Sequence, residues 1–450
     1  MYTSKWLVLY IVIMGIFISA FNNSIVKIAN PFIADSFNIS ITEVQWVVTA
    51  YMTVTASTLL LFGRMGDNYG AKYLYIIACF LFTIGSVVCY FANSLGILIA
   101  GRLIQAFGGS LIIATSIGLL AAAFPLHERG KAIGILASAV GIATASAPFL
   151  GGLIITKFDW PALFLLSIPI SLLTGLMSIR YLPQAILPEK RHNLDLAGSL
   201  LFSLLIVTIV LSINVNSNFL LLAITLGILL WQWEKRQPDP LIDAGIFANK
   251  SITICCLMLF INYFCQMFAM FLMPFFFVRA WALDASLSGL LIMLNPLVTI
   301  ILAPIAGFWS DRYGSRRLIV IAYAFLVSSF LCFSLLGLHS PWWVAALGMI
   351  MLGCGVGFFA SPNSRLILSM LPPDKQNYGG GLLGFVRNLS FVLGAASASK
   401  LNDFFVSRHA GLELAQAYAI ANQQVFTLLL IFLCFGLSLA IYDLFRKHSA

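Results

Sequence analysis

Charged side chains are scarce in this 450-residue chain, and acidic ones are absent from the middle of its long apolar segments. Charged residues make up 9% of the chain, 61% of the residues are hydrophobic, and the mean hydropathy is +0.99. Soluble domains average about 25% charged and about 45–50% apolar residues. A soluble globular protein is therefore excluded, and the sequence predicts an all-α polytopic membrane protein.

Patterns that would indicate an enzyme or a metal protein are also missing. The eight cysteines lie in or beside apolar segments without CxxC or Cys/His spacing, and no predicted helix carries two of the five histidines. Neither a Ser/His/Asp set nor a GxxxxGK[ST] phosphate loop is present. We therefore expect no metal, no cofactor, no ATP-driven pump and no conventional enzyme.

The apolar residues form fourteen segments of roughly 20 residues, the length that crosses a hydrocarbon core of about 30 Å. An even number of spans places both termini on one side of the membrane. The predicted spans are 7–29, 44–63, 73–91, 95–120, 132–155, 162–182, 196–213, 218–233, 251–278, 286–307, 318–337, 342–362, 380–399 and 424–442.

The lysines and arginines indicate which side this is. If the N-terminus is cytoplasmic, seventeen of the 25 basic residues lie on the cytoplasmic side and four lie outside. The positive-inside rule therefore predicts that both termini are cytoplasmic. The same bias explains the net charge of +9 without a nucleic-acid partner, so we expect membrane lipid and a small molecule as partners.

One motif occurs twice. "GRMGDNYGAKYL" (63–74) and "GFWSDRYGSRRL" (307–318) align without gaps, and each joins the second and third spans of a six-span block. We therefore predict an N-terminal six-helix bundle (1–185), an extra transmembrane hairpin with its linkers (186–245), and a C-terminal six-helix bundle (246–450).

The repeated motif has a physical interpretation. Its glycines permit close helix approach and a tight turn, and its aspartate suits a helix N-terminus beside an arginine. We interpret the motif as a cytoplasmic latch between the halves; a simple charged surface turn is the alternative. The latch residues are Gly63, Asp67, Gly70, Lys72, Gly307, Asp311, Arg312, Gly314 and Arg316.

Further stretches, in this order, resemble a known family. They are "GRLIQAFGG" (101–109), "APFLGG" (147–152), "FDWPALFLLSIP" (158–169), "LDLAG" (194–198), "EKRQPDPLIDAGIF" (234–247), "SPNS" (361–364) and "GGGLLGFVRNLSFVLGAA" (379–396). With the two loop motifs, they resemble the major facilitator superfamily, and specifically its fourteen-helix drug:proton antiporter family (EmrB/QacA-like).

This resemblance covers nearly the whole chain. It implies two six-helix bundles around a central cavity, alternating access, proton coupling, and a bacterial-type inner membrane. "APFLGG" resembles the antiporter motif of the family, which gives Pro148, Gly151 and Gly152 a role in export.

The first span departs from the family at "FNNSIVKIANP" (21–31), where Asn22 replaces the usual aspartate. Ser19, Asn23, Lys27 and Asn30 form a polar stripe at helical spacing, which should face the bundle or a wet cavity because lipid exposure is costly. Lys27 has three interpretations: cavity lining, snorkelling to the outer interface, and a buried structural pair. If the carrier is proton-coupled, Lys27 or Asp35 would have to titrate instead of the missing acid.

Polar residues on other spans complete the candidate site. Ordinary lipid-facing packing is expected for most Phe and Met residues of "INYFCQMFAMFLMPFFF" (261–277), and Asn295 has the alternative role of satisfying backbone groups freed by Pro296. The candidate substrate-cavity residues are Asn22, Asn23, Lys27, Asn30, Arg102, Gln105, Asn262, Tyr263, Gln266, Asn295 and Arg387.

Three functions are compatible with this pattern. The first is a secondary-active efflux carrier for amphiphilic small molecules or drugs, which the resemblance favours. The second is a carrier for an organic anion, such as a carboxylate metabolite or siderophore, which a cationic cavity with Lys27 favours. The third is a non-transporting receptor or assembly protein, in which the polar stripe would tolerate substitution.

The topology can be tested by a reporter fused after residue 214, between the seventh and eighth predicted spans. We expect the reporter to lie outside the cytoplasm, because six spans and one further crossing separate it from the N-terminus. Paired alkaline phosphatase and green fluorescent protein fusions measure the location. A cytoplasmic signal from this fusion would remove the extra hairpin from the topology.

Overall fold

The computed structural model describes residues 5–183, 195–237, 249–371, 376–409 and 411–446, and in these ranges the regular structure is α-helical. Its helices are α1 (Lys5–Phe37), α2 (Ile41–Val44), α3 (Trp46–Tyr69), α4 (Ala71–Tyr90), α5 (Leu95–Ala123), α6 (Leu126–Phe158), α7 (Ala162–Tyr181), α8 (Leu196–Asn214), α9 (Phe219–Glu234), α10 (Lys250–Arg279), α11 (Ala285–Tyr313), α12 (Ser315–Ser334), α13 (Trp342–Ser369), α14 (Gln376–Arg408) and α15 (Leu414–Arg446).

Each of the fourteen predicted spans lies on a separate helix, to within a few residues. The sequence missed α2, a short turn of helix with a capping box in which Ser40 and Glu43 bond each other's backbone N–H. Among the described residues, eleven helices are long and apolar enough to cross a membrane, while α8 and α9 provide shorter apolar segments. The all-α membrane architecture is confirmed, and the count of fourteen crossings stays a prediction.

The chain forms two compact units, Met1–Leu241 and Ile242–Ala450. In the first unit α1 packs against α5, α6 and α7, while α5 packs against α3 and α4, and α4 also packs against α7. The same pairings recur in the second unit. There α10 corresponds to α1, and α11 to α15 correspond in order to α3 to α7. The additional helices α8 and α9 pack against each other, and α8 also packs against α3.

The repeated motif forms the turn between α3 and α4 in the first unit and between α11 and α12 in the second. Gly70 has φ of 90° and Gly314 has φ of 87°, a backbone conformation that side chains with a Cβ rarely adopt. The motif therefore needs glycine at the turn. The side chains of Asp67 and Asp311 lie outside the described part of the structure.

The described contacts of the other latch residues lie within single units. Gly307 approaches Ser361 of α13, where an added Cβ would lie 3.1 Å from the serine oxygen, while a Cβ at Gly63 would meet open space. The guanidinium of Arg312 lies 5.6 Å from the ring centre of Tyr313. A latch between the halves stays a prediction.

Lys72 and Arg316 occupy equivalent motif positions and connect equivalent helices. Lys72 Nζ donates to the carbonyl oxygen of Leu182 at 2.7 Å, which joins α4 to the end of α7. Arg316 Nε donates to the Asp443 carboxylate at 2.7 Å, which joins α12 to α15. The acceptors differ because the two helices end at different places. Helix α7 ends at Tyr181, so the carbonyl of Leu182 is free to accept from Lys72, whereas α15 continues to Arg446 and the Asp443 side chain accepts from Arg316 instead.

This difference predicts unequal effects of removing the two cations. Arg316→Gln leaves the Asp443 carboxylate, whose side chain is 3% exposed, without its ion-pair partner, whereas Lys72→Gln leaves a neutral carbonyl. We expect Arg316→Gln to destabilise the protein by about 1–3 kcal/mol and Lys72→Gln by less. Thermal unfolding of the purified variants in detergent measures this, and equal midpoints for the two variants would contradict it.

Candidate functional site

A buried arginine lies at the centre of the polar groups of the first unit. Arg102 on α5 is 0% exposed. Its Nε donates to the carbonyl oxygen of Val47 on α3 at 3.0 Å, and its Nη1 donates to Asn22 Oδ1 at 2.5 Å and to Gln105 Oε1 at 2.6 Å. The guanidinium thereby links α1, α3 and α5.

Two serines extend these contacts to two more helices. Asn22 Nδ2 donates to Ser167 Oγ on α7 at 3.0 Å, and Gln105 Nε2 donates to Ser86 Oγ on α4 at 2.8 Å. We call Asn22, Ser86, Arg102, Gln105 and Ser167 the arginine cluster. Its members lie on four helices, and the bond from Arg102 to the Val47 carbonyl adds α3, so the cluster connects five helices of the first unit and fixes their relative packing.

An aromatic ring completes the surroundings of the guanidinium. Arg102 Cζ lies 4.2 Å from the ring centre of Tyr51, a distance that permits a cation–π interaction. The Tyr51 hydroxyl lies 3.2 Å from Ser19 Oγ, so one member of the polar stripe belongs to this environment. Arg102 Nη2 makes no hydrogen bond with the described residues.

The arginine cluster holds its cation with neutral acceptors. Lys5 pairs with Glu128 and Arg316 pairs with Asp443, and neither of these carboxylates is a partner of Arg102. Asn22 serves both neighbours, because its oxygen accepts from Arg102 while its nitrogen donates to Ser167. The positive charge is therefore dispersed over hydrogen bonds and a ring rather than neutralised by a carboxylate.

Close packing of α4 and α5 positions Gln105. At Gly85 on α4 an added Cβ would lie 2.5 Å from the backbone nitrogen of Gln105. Only a residue without a Cβ permits this approach, which brings the Gln105 amide to Ser86. The glycine thus determines whether the cluster can form.

The polar stripe on α1 lies in two environments. Ser19 and Asn30 are buried, whereas Asn23 and Lys27 are half-buried. Both amide atoms of Asn30 and the Oδ1 of Asn23 are buried without a hydrogen-bond partner among the described residues. These amides are the groups of the stripe for which a bound molecule would provide the missing hydrogen bonds.

The helix with the predicted antiporter motif packs against this part of α1. A Cβ at Gly151 of α6 would lie 2.5 Å from Ile25 Cγ1, and the Ser24 hydroxyl donates to the carbonyl oxygen of Thr144 at 3.1 Å. Pro148 lies inside α6 and Gly152 is buried beside Gly151. A shift of α6 would therefore be transmitted directly to the helix that carries the stripe.

In the second unit the structure brings together two predicted site residues, Tyr263 of α10 and Arg387 of α14. The guanidinium of Arg387 lies beside the Tyr263 hydroxyl. The Tyr263 ring packs edge-on against Phe391, with 5.3 Å between the ring centres. Arg387 itself is exposed.

Three amides of the second unit have unused hydrogen-bonding atoms. Asn262 is 0% exposed, and neither of its amide atoms has a partner among the described residues. The Oε1 of Gln266 and the Nδ2 of Asn295 are likewise buried without a partner in that part of the chain. The backbone carbonyl of Asn295, one residue before Pro296, accepts from the Thr299 hydroxyl at 2.9 Å.

The apolar residues of α10 differ from the prediction. Phe268, Phe271, Met267 and Met273 are all 0% exposed. The expectation that most of these residues face lipid is therefore wrong, because α10 packs against α13, α14 and α15. Hydrophobicity alone cannot distinguish a lipid-facing side chain from one buried between helices.

The sequence also missed part of the arginine cluster. Ser86, Ser167 and Tyr51 were not predicted site residues, and neither was Asp443. Serines in these helices usually bond the carbonyl four residues earlier, as Ser116 does with Ile112, so nothing in the sequence marks Ser86 or Ser167 as partners of an amide.

The sequence of the chain as a whole shows which family it belongs to. The profile described as Major Facilitator Superfamily matches residues 12–234 and 255–441 of the chain. The chain belongs to the major facilitator superfamily. Members of this superfamily that resemble it are transporters rather than enzymes, and the chain is accordingly a multi-pass membrane transporter.

Two relatives illustrate the range of the superfamily around this chain. The riboflavin transporter RibZ of Clostridioides difficile is 37% identical over 449 residues, which cover 97% of each protein. The multidrug resistance protein Stp of Mycobacterium tuberculosis (strain CDC 1551 / Oshkosh) is 26% identical over 401 residues, which cover 85% of this chain and 73% of Stp.

The fold is also that of solved major facilitator structures. The crystal structure of tetrameric PepTSo2 matches with a TM-score of 0.73 and 15% identity, and the match covers 99% of both chains. At this identity the likeness shows the fold alone.

The arginine cluster predicts different outcomes for two substitutions of Asn22. Asn22→Leu removes an acceptor from a buried guanidinium, and we expect a loss of about 1.5–3 kcal/mol of stability. Asn22→Asp supplies a carboxylate that accepts from both Arg102 and the Ser167 hydroxyl, so we expect at least the wild-type stability. Thermal unfolding in detergent compares the two, and equal destabilisation by both would show that Arg102 does not depend on this acceptor.

Proposed function

We propose that this protein is a secondary-active carrier of riboflavin. The observation that carries the proposal is the similarity to the riboflavin transporter RibZ, which extends over 97% of both proteins at 37% identity. Because the similarity to RibZ covers every helix, it includes the residues that bind the substrate. The similarity to Stp is weaker and covers less of each protein.

The polar groups of each unit are compatible with such a substrate. Riboflavin is uncharged at neutral pH and combines a planar heteroaromatic ring with a polyhydroxyl chain. Neutral amides with unused atoms occur on α1 at Asn23 and Asn30 and on α10 at Asn262 and Gln266. Such groups hydrogen-bond hydroxyl and ring carbonyl groups without requiring a countercharge.

Expression in a bacterial riboflavin auxotroph that lacks its own riboflavin uptake system tests the proposal. We expect the chain to restore growth at low external riboflavin and to mediate uptake of radiolabelled riboflavin. The empty vector is one control. The other is an Arg102→Leu variant of matched abundance, which should not transport because it lacks the central side chain of the arginine cluster. Absence of riboflavin flux in intact cells and in inverted vesicles would reject the function in both directions.

We propose alternating access with proton coupling as the mode of transport, a bacterial-type inner membrane as the location, and membership of the fourteen-helix drug:proton antiporter branch. The resemblance of the motifs to that branch supports these proposals. We also propose cytoplasmic termini, which the distribution of basic residues supports. Riboflavin flux in proteoliposomes with and without an imposed pH gradient tests the coupling. Flux that is independent of the gradient and its polarity would reject it.

Drug efflux is the second candidate, and the contact of Gly151 with α1 favours it. The motif resembling the antiporter motif is on the helix that packs against the polar stripe, and Stp is named for multidrug resistance. Efflux predicts raised resistance to several amphiphilic drugs when the chain is expressed in a pump-deficient host. Unchanged drug susceptibility together with riboflavin flux would exclude this candidate.

The organic-anion alternative depends on Lys27, whose side chain is half-buried on α1. Riboflavin 5′-phosphate supplies a matched test, because it adds a negative group to the same ring and chain. An anion carrier should prefer the phosphate ester, and Lys27→Met should weaken that ester roughly 10–150-fold while sparing riboflavin. Equal effects of Lys27→Met on both compounds, or none, would reject an anion site at Lys27.

A further inference from the structure

Arg387 is an exposed cation in a membrane-spanning stretch, Leu382–Arg408. It lies five residues after Leu382, the first residue of this stretch, which corresponds to about 7.5 Å along the helix. It is not a member of the ion pairs Lys5–Glu128 and Arg316–Asp443. A guanidinium inside a membrane-spanning stretch is costly unless it meets water, a polar partner or a ligand, so its position requires an explanation.

Tyr263 of α10 is the neighbour of this guanidinium. Its hydroxyl lies beside Arg387, and its ring is packed edge-on against Phe391, one turn along α14 from Arg387. Tyr263 is 8% exposed, whereas Arg387 is exposed. The planar fork of the guanidinium therefore keeps N–H groups that can donate to two acceptors in one plane.

An acceptor with no partner lies on the same face of α10. Gln266 follows Tyr263 by three residues, so the two side chains are neighbours on the helix surface. The Gln266 side chain is half-buried, and its Oε1 is buried without a partner among the described residues. A donor from a bound molecule would remove the cost of leaving this oxygen unsatisfied.

We propose that Arg387, Tyr263 and Gln266 form a binding site for the imide edge of a pyrimidinedione ring, which is the hydrogen-bonding edge of the riboflavin ring system. Arg387 donates to a ring carbonyl and the acceptor beside it, and Gln266 Oε1 accepts from the imide N–H. Tyr263 is a positioning residue for the guanidinium. The choice of riboflavin as the ligand rests on the proposed function. The site itself concerns only the edge of the ring and not the ribityl chain.

The test is titration of the purified full-length protein in detergent, with quenching of ligand fluorescence as the readout. Three ligands separate the contributions: riboflavin, N3-methylriboflavin, which lacks the imide N–H, and alloxazine, which has the imide edge but no ribityl chain. The variants are Arg387→Gln, Gln266→Leu and Tyr263→Phe. Arg408→Gln is the matched control, because Arg408 is on the same helix with its guanidinium 4.3 Å from the ring centre of Phe404.

We expect Arg387→Gln to weaken riboflavin and alloxazine roughly tenfold or more, as loss of a charge-assisted hydrogen bond does. Gln266→Leu should weaken riboflavin but not N3-methylriboflavin, so that the variant no longer distinguishes the two. Tyr263→Phe should have a smaller effect in the same direction as Arg387→Gln. Arg408→Gln should bind all three ligands as the wild type does.

The outcomes separate this site from the proposed function. Riboflavin transport with wild-type binding by Arg387→Gln and Gln266→Leu would overturn the site and leave the function. Binding of alloxazine that depends on Arg387, without riboflavin transport, would overturn the function and leave the site. Absence of binding of every imide ligand to the wild type would overturn the site whatever the transport assays show.

Discussion

The first unit depends on the satisfaction of one buried positive charge. Arg102 is fully enclosed, and in an apolar medium each of its unmet N–H groups is costly. Acceptors from three helices converge on it, and serines on two further helices bind those acceptors in turn. The packing of five helices is thus coupled to a single side chain, because displacement of any one of them removes a hydrogen bond that water cannot replace.

Asn22 determines the electrostatic character of this arrangement. An amide can accept from a guanidinium and donate to a serine at the same time, whereas a carboxylate only accepts. With asparagine at this position, the interior keeps a net positive charge spread over neutral groups and over the ring of Tyr51. An uncharged substrate encounters little opposition from such an interior, whereas a cationic drug would be repelled. This is the physical reason to favour a neutral cargo over a cationic one.

The sequence predicted the architecture better than the site. Hydrophobic length and the repeated loop motif were enough to place the helices and to equate α3 and α4 with α11 and α12, because both signals are local. Asn22, Arg102 and Gln105 were identified separately, Asn22 as a departure from the family pattern and the other two within the stretch 101–109, but the bond between Asn22 and Arg102 spans 80 residues and follows from packing. Ser167 lies in the stretch 158–169 that resembles the family, but nothing in that stretch indicates that it bonds Asn22. The burial of Phe268 and Phe271 was missed for a related reason, since composition does not say which face of an apolar helix meets another helix.

The unequal partners of Lys72 and Arg316 have a consequence for how the two units can change during evolution. Lys72 binds a main-chain oxygen, which every amino acid at position 182 would provide, so drift at that position cannot abolish the contact. Arg316 binds a side chain that one nucleotide change can remove. Related sequences should therefore show positions 316 and 443 varying together, while 72 and 182 vary independently. Within the first unit, the contact between α4 and α7 is therefore insensitive to the residue at position 182. Within the second unit, the equivalent contact between α12 and α15 requires an acidic side chain at position 443.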